Sequence, residues 1–73
     1  MQLVEIEVNP NPIAGEYMAQ AFFEWEGKEW EMDVRADSPD GAKSLAETQA
    51  AAYLVEWAED RNAANQKYGV YLF

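Results

Sequence analysis

The dipeptide Glu26-Gly27 constrains the fold more than any other feature of the sequence, because it separates two segments in which apolar and polar residues alternate. A two-residue turn at this point would form a β-hairpin with a fixed register. In that register every pair on one face is apolar, namely Tyr17–Ala36, Ala19–Val34, Ala21–Met32 and Phe23–Trp30. A four-residue loop would keep the same residues on each face, whereas a three-residue loop would not. The pattern predicts strands from Glu16 to Trp25 and from Glu29 to Ala36.

A further strand is predicted from Gln2 to Val8, where apolar residues again alternate with acidic ones. Its two faces are expected to carry Val4, Ile6 and Val8 toward the core, and Leu3, Glu5 and Glu7 away from it. The two asparagines and two prolines of residues 9–12 predict a loop, which Ile13 to Gly15 complete.

The segment 37–40, Asp-Ser-Pro-Asp, predicts the start of a helix. Ser38 suits the N-cap, Pro39 suits the first helical position, and the two aspartates favour the positive end of the helix dipole. The alanine-rich run from Ala42 to about Ala64 continues the helix, and its end is left open between Arg61 and Lys67. One helical stripe should face the sheet, and it consists of Ala42, Ala46, Ala50, Tyr53, Leu54 and Trp57. Residues 70–73 predict a short final strand after Gly69.

This order of elements predicts an α+β fold, with an antiparallel sheet of three to four strands (β-β-β-α-β) and one long helix packed on one face. We expect the 73 residues to form a single domain. The N-terminus lacks the basic segment of a targeting peptide, and no apolar run approaches the roughly 18 residues of a membrane span. The expectation is therefore an intracellular protein without a membrane segment.

The composition excludes several classes of function. The chain has no cysteine and no histidine, so disulfides, zinc–thiolate centres and thiol nucleophiles are excluded, and the commonest general base is missing. With 14 acidic and 5 basic residues, it is not expected to bind nucleic acid directly, because that needs clustered lysine and arginine. No calcium-binding loop and no enclosed carboxylate pair is predicted. We therefore expect no enzyme activity, no metal and no cofactor.

Most of the negative charge lies in the predicted sheet. Residues 1–40 hold ten acidic and two basic residues, whereas residues 41–73 hold four and three. The pleat is expected to place seven carboxylates on the face opposite the apolar one: Glu5, Glu7, Glu24, Glu26, Glu29, Glu31 and Asp33. Phe22 and Met18 are expected on the same face, where they would form a small apolar centre.

Two interpretations of this acidic face remain open. Like charges directly opposite each other, such as Glu24 and Glu29, destabilise a sheet, and mixed charges would keep a protein soluble without that cost. The first interpretation is that the acidic face binds a partner protein, because a charged rim around an aromatic side chain is typical of a protein interface. The predicted partner-binding residues are Glu5, Glu7, Phe22, Glu24, Glu26, Glu29, Glu31 and Asp33. The alternative is that the acidic residues are only solvated, as on many antiparallel sheets.

The chain resembles small phage-encoded anti-CRISPR proteins that act on type I surveillance complexes. The resemblance consists of an N-terminal strand, an Asn/Pro/Gly loop into Gly15-Glu16-Tyr17, a hairpin, and residues 34–42, which open an alanine-rich helix that ends near Glu56-Trp57. It implies a stoichiometric inhibitor whose acidic surface occupies a basic, nucleic-acid-binding site on a Cas subunit. No functional residue is carried over, because the resemblance includes no shared motif.

The chain is also similar to the N-terminal domain of HicB-type antitoxins, whose helix begins at a comparable step, here Ser38-Pro39. It lacks the small-residue segment that those proteins carry before the third strand, and it has no DNA-binding appendage. This second resemblance implies a similar fold rather than an antitoxin activity.

The sequence therefore predicts a non-enzymatic inhibitor of a bacterial defence complex, in which an acidic sheet face mimics the charge of a nucleic acid. Its expected partner is a basic nucleic-acid-binding protein, such as a Cas subunit of a type I complex, in the cytoplasm of the infected bacterial host. The alternative is a small structural, assembly or antitoxin-like interaction module. In that case the aromatic tail from Tyr68 to Phe73 would pair with a partner strand, for example that of a second copy in a homodimer.

Overall fold

The computed structural model describes residues 1–11 and 15–73 and confirms the predicted α+β fold. Its elements are β1 (Gln2–Pro10), β2 (Tyr17–Trp25), β3 (Lys28–Ala36), α1 (Pro39–Glu59), α2 (Arg61–Tyr68) and β4 (Tyr71–Leu72). The four strands form one antiparallel sheet in the order β1-β2-β3-β4, and α1 packs across β1, β2 and β3. The part of the predicted loop formed by Pro12, Ile13 and Ala14 lies outside the described residues.

The central hairpin has the predicted register. Phe23 lies opposite Trp30, and Tyr17 lies opposite Ala36. The turn requires positive φ at both central residues, and Glu26 and Gly27 have φ of 51° and 73°. A turn of this kind matches the right-handed twist of the strands, which explains why two residues suffice to connect them.

The first strand differs from the prediction at its start. The register between β1 and β2 shifts between Leu3 and Glu5, so that one extra residue, Val4, is inserted in β1. As in a β-bulge, the insertion reverses the side-chain alternation. Leu3 therefore packs against the core, whereas Val4 is 55% exposed, and the predicted placement of these two residues is wrong. Ile6 and Val8 lie on the core side as expected, and the strand continues to Pro10 instead of ending at Val8.

The core lies between the sheet and α1. Three alanines of α1 that are spaced four residues apart, Ala42, Ala46 and Ala50, are fully buried. Their small side chains let the helix approach the sheet closely, so the larger groups in the core come from the sheet and from Tyr53. The rings of Phe23 and Tyr53 are in edge contact, with centroids 4.9 Å apart. The predicted stripe is thus confirmed, with Leu54 and Trp57 partly buried at its end.

The start of α1 is as predicted. The Ser38 hydroxyl caps the helix by accepting a hydrogen bond from the backbone N–H of Gly41, at 3.0 Å, and Pro39 is the first helical residue. A Cβ atom at position 41 would lie 2.8 Å from the Ser38 hydroxyl oxygen, so glycine leaves room for the cap.

The predicted single helical run is divided in two at Asp60. This residue has extended backbone angles, and its carboxylate accepts a hydrogen bond from the N–H of Ala63 as the N-cap of α2. The Tyr53 hydroxyl donates to the side chain of Asn65 at 2.6 Å and ties α2 to α1. Helix α2 ends at Tyr68 and is capped by Gly69, whose φ of 64° is left-handed. The final strand is shorter than predicted and comprises only Tyr71 and Leu72.

Candidate functional site

The sheet surface opposite α1, which we name the outer face, is the candidate site. It comprises Gln2, Glu5, Glu7 and Asn9 from β1, Met18, Gln20, Phe22 and Glu24 from β2, Glu29, Glu31, Asp33 and Arg35 from β3, and Tyr71 and Phe73 from the C-terminal segment. The strand pairing gives each residue fixed neighbours. Glu24 lies opposite Glu29, and Phe22 lies between Glu5 and Glu31.

The structure brings most of the sequence-predicted site residues together on this face. Five of the predicted carboxylates are exposed there: Glu5, Glu7, Glu24, Glu29 and Asp33. Phe22 is half-buried among them. Glu26 is also exposed, but it lies in the hairpin turn at the end of the sheet, beyond the paired rows. Glu31 differs from all of these, because it is only 3% exposed.

Glu31 is buried under neighbouring side chains of the outer face. Its carboxylate accepts hydrogen bonds from the Gln20 side-chain amide, at 3.1 Å, and from the Tyr71 hydroxyl. The Tyr71 hydroxyl oxygen also lies 2.9 Å from a carboxyl oxygen of Asp33. A phenol has only one proton to donate, so Tyr71 cannot give a full hydrogen bond to each of two carboxylates, and protonation of one carboxyl group would relieve this shortage.

The pKa values of the two acids agree with this arrangement. Partial desolvation of its carboxyl group and the neighbouring Glu31 raise the pKa of Asp33 to about 6, although Tyr71 and Arg35 act in the opposite direction. Burial also raises the pKa of Glu31, but hydrogen bonds from Asp33, Tyr71 and Gln20 outweigh it, so the pKa is lower than the ordinary value. Below about pH 6 Asp33 therefore holds the shared proton, whereas Glu31 stays the buried carboxylate.

An aromatic pair covers one end of the outer face. The rings of Phe22 and Phe73 are in edge contact across β3, with centroids 5.9 Å apart and planes at 85°. Phe73 is held in place by a backbone hydrogen bond from its N–H to the Glu29 carbonyl, at 2.9 Å, yet the residue is 72% exposed. The pair lies next to the exposed carboxylates of Glu24 and Glu29. The outer face therefore combines an apolar centre with an anionic rim.

Two residues of this face, Tyr71 and Phe73, are absent from the set predicted from the sequence. Their alternation with Leu72 is typical of a strand and indicates that they share a face. The sequence does not show which strand they pair with, because Tyr71 and its partner Glu31 are 40 residues apart.

Among the described residues, no carboxylate of the outer face forms an ion pair. Among the described residues the one ion pair joins Lys67 to Glu56 at 2.7 Å, and it lies on the helical side of the molecule. Arg35 is the one basic residue of the outer face, and it pairs in register with Met18 at the end remote from Glu24 and Glu29. The charge of this face is therefore not neutralised within the part of the chain that the structure describes.

A separate cleft of about 180 Å³ lies where α1 meets α2. Its lining consists of Glu56, Glu59, Asp60, Ala63, Ala64 and Lys67. The Glu56 carboxylate is already bound to Lys67 and to the Tyr68 hydroxyl. No group of three or more metal-ligating side chains occurs within residues 1–11 and 15–73.

Comparisons of the chain with protein-family models, with curated proteins and with solved structures find no match. The resemblances to anti-CRISPR proteins and to antitoxins thus remain predictions from the residue pattern. Among the described helices, none is both long enough and apolar enough to cross a lipid bilayer.

Proposed function

We propose that this chain is a non-enzymatic inhibitor that binds a basic, nucleic-acid-binding protein through its outer face. The observation that carries the proposal is the set of five exposed carboxylates on a face without ion pairs in the described residues. The opposite face of the same sheet is covered by α1, so the outer face is the sheet surface available to a partner.

The arrangement of these carboxylates is unfavourable for the isolated protein. Glu24 and Glu29 are exposed and directly opposite each other on β2 and β3. Such like-charge pairs cost some tenths of a kcal/mol each. A mixture of lysine and glutamate would give the same solubility without this cost. A basic partner would remove the repulsion, so the cost in the free protein is regained on binding.

The charge of the outer face is complementary to a surface that binds nucleic-acid backbones. Neighbouring strands lie about 4.8 Å apart, and outward side chains of one strand are about 6.8 Å apart. The carboxylates therefore form an anionic array of closely spaced charges. A protein that binds a nucleic acid presents clustered lysine and arginine side chains to the phosphates. Electrostatic steering would speed the encounter of these two surfaces.

The biological setting of the proposal comes from the resemblance to anti-CRISPR proteins. It assigns the inhibitor to the cytoplasm of an infected bacterium and its target to a Cas subunit of a type I complex. The acidic face would occupy the site that otherwise binds nucleic acid.

A competition experiment tests this proposal. A purified type I surveillance complex is mixed with a fluorescent double-stranded DNA target, and the protein is titrated into the mixture at 50 and 300 mM salt. The variant Glu5→Lys/Glu29→Lys reverses two exposed charges of the outer face. Its matched control, Glu47→Lys/Glu59→Lys, makes the same change in net charge at exposed positions of α1.

Competition should be strong at low salt, weaker at high salt, lost in the outer-face variant and kept in the helix control. Equal loss in both variants would mean that only net charge matters, and unchanged competition by the outer-face variant would refute the charge-mimic mechanism.

A second candidate function is assembly through the edge of the sheet. The observation that favours it is the exposure of three consecutive apolar side chains in and after β4, at Tyr71, Leu72 and Phe73. A sheet edge of this kind can be extended by another strand. Sedimentation velocity of the protein and of Leu72→Lys distinguishes this function, because assembly predicts a larger mass for the unmodified chain alone.

A further inference from the structure

We infer that the outer face selects arginine side chains of its partner at the corner formed by Phe22, Phe73, Glu24 and Glu29, which we name the aromatic corner. This inference rests on the proposed function and specifies the chemical group that the outer face binds. A uniform anionic surface would attract lysine and arginine alike. The aromatic corner places an aromatic ring beside the carboxylates, and the ring distinguishes arginine from lysine.

The strand pairing fixes the geometry of the corner. Glu24 is opposite Glu29, and the backbone N–H of Phe73 donates to the carbonyl of Glu29, so these three residues form one row across the sheet. Neighbours in such a row are about 4.8 Å apart. The exposed Phe73 ring and the two exposed carboxylates can therefore contact one side chain at the same time.

Arginine fits this combination better than lysine does. Its guanidinium group is planar, donates two parallel hydrogen bonds to a carboxylate and stacks on an aromatic ring. The ammonium group of lysine is compact and strongly hydrated, and it gains less from a ring. Phe22 contacts Phe73 with ring planes at 85° and thereby orients the Phe73 ring beside Glu29, while Phe73 as a whole stays 72% exposed.

The chain itself contains a contact of the same type on its other side. The Arg61 guanidinium lies over the Trp25 ring, 4.7 Å from the ring centroid. The aromatic corner has no such partner among the described residues. The basic residue of the outer face, Arg35, is six positions from Glu29 along β3, which corresponds to roughly 20 Å. An arginine at the corner must therefore come from another molecule.

Two synthetic peptides test the inference. Both have blocked ends and four repeats, one of Gly-Arg and the other of Gly-Lys, so that they carry equal charge. Their dissociation constants with the full chain are measured by calorimetry at 50 mM salt, and the aromatic proton signals of Phe73 are followed by NMR. We expect the arginine peptide to bind about three- to fivefold more tightly and to shift the Phe73 signals.

Three variants assign the preference to the corner. Phe73→Leu keeps an apolar side chain but removes the ring, and it should make the two peptides bind equally. Leu72→Ala is the matched control at the adjacent exposed apolar position, and it should keep the preference. Glu24→Gln/Glu29→Gln should weaken both peptides. Thermal unfolding of each variant verifies that the fold is intact.

The outcomes separate this inference from the proposed function. Equal binding of the two peptides to the unmodified chain, or a preference that survives in Phe73→Leu, overturns the arginine selection. If both peptides bind equally and both are lost in Glu5→Lys/Glu29→Lys, the acidic binding face is supported and only the arginine selection fails. If neither peptide binds the unmodified chain, both proposals fail.

Discussion

The two faces of one sheet differ in what determines their residues. On the inner face Ala19, Ala21 and Phe23 are fully buried against α1, and each is explained by close packing with the helix. On the outer face, one residue further along the same strand, lie Gln20, Phe22 and Glu24, which contact no second layer among the described residues. Stability of the fold therefore explains the residues of the inner face. It does not explain the like-charged neighbours and the exposed aromatic rings of the outer face.

Adjacent phenylalanines give the strongest test of this difference. Phe23→Ala should lower the free energy of unfolding by about 3–5 kcal/mol, because it leaves a cavity beside Tyr53 in the core. That is most or all of the stability of a domain of this size. Phe22→Ala, one residue away on the outer face, should cost roughly 1 kcal/mol, since its side chain is only half-buried. Urea unfolding measures both, and similar losses would mean that the outer face is also structural.

The buried carboxylate of the outer face gives the second test. Tyr71→Phe removes the hydroxyl that donates to the Glu31 carboxylate. Because Glu31 is only 3% exposed, this change should lower the free energy of unfolding by about 1.5–3 kcal/mol. Tyr68→Phe is the matched control, because the Tyr68 hydroxyl donates to Glu56, whose carboxylate is more exposed and also binds Lys67. Tyr68→Phe should lower the free energy of unfolding by a clearly smaller amount. Equal costs in urea unfolding would argue against a special role of burial at Glu31.

The pH dependence of stability gives the third test. The pKa of Asp33 is about 6 in the folded protein, against an ordinary value of 3.8, because its carboxyl group is partly desolvated and lies beside Glu31. The folded state therefore binds this proton more tightly than the unfolded state, and the stabilisation is lost as the pH rises from about 4 to about 6. The pKa of Glu31 is lowered, so this carboxylate stabilises the folded state at higher pH. That stabilisation is lost only as the pH falls below the ordinary pKa of 4.5.

Between pH 4.5 and pH 6.5 we thus expect the free energy of unfolding to decrease. The groups facing Asp33 are Glu31, Tyr71 and Arg35. Asp33→Asn should flatten this decrease, since the amide can donate to Glu31 at every pH. Glu7→Gln, at an exposed position of the same face, is the control and should retain it. A decrease of the same size in Asp33→Asn would contradict the assignment of the shared proton to Asp33.

The sequence predicts a structural feature well when the residues that determine it are close together along the chain. The hairpin from Tyr17 to Ala36 was predicted in its exact register, because one short turn and two alternating strands determine it. The bulge at Val4 could not be predicted, since Leu3 and Val4 are both apolar and either could face the core. An aspartate at position 60 is compatible with a continuous helix and also with the N-cap of a new one, so the break between α1 and α2 was not predicted.

The candidate site was predicted only in part for the same reason. Alternation along β1, β2 and β3 correctly places Glu5, Glu24 and Glu29 on one exposed face. The burial of Glu31 depends on Tyr71, which is 40 residues away in sequence, and on the pairing of a two-residue strand. No local pattern encodes that contact. The aromatic corner depends on the same long-range pairing, through Phe73.

The smallest expected effect tests whether the outer face is held in an unfavourable state. Glu29→Lys replaces the like-charge pair with Glu24 by an attractive pair and should raise the free energy of unfolding by some tenths of a kcal/mol. Glu24→Lys should do the same, whereas the double variant restores two like charges and should lose the gain. If either single variant is instead less stable than the unmodified chain, the pair carries no repulsive cost. Greater stability together with weaker competition against DNA would mean that these carboxylates serve binding at the expense of folding.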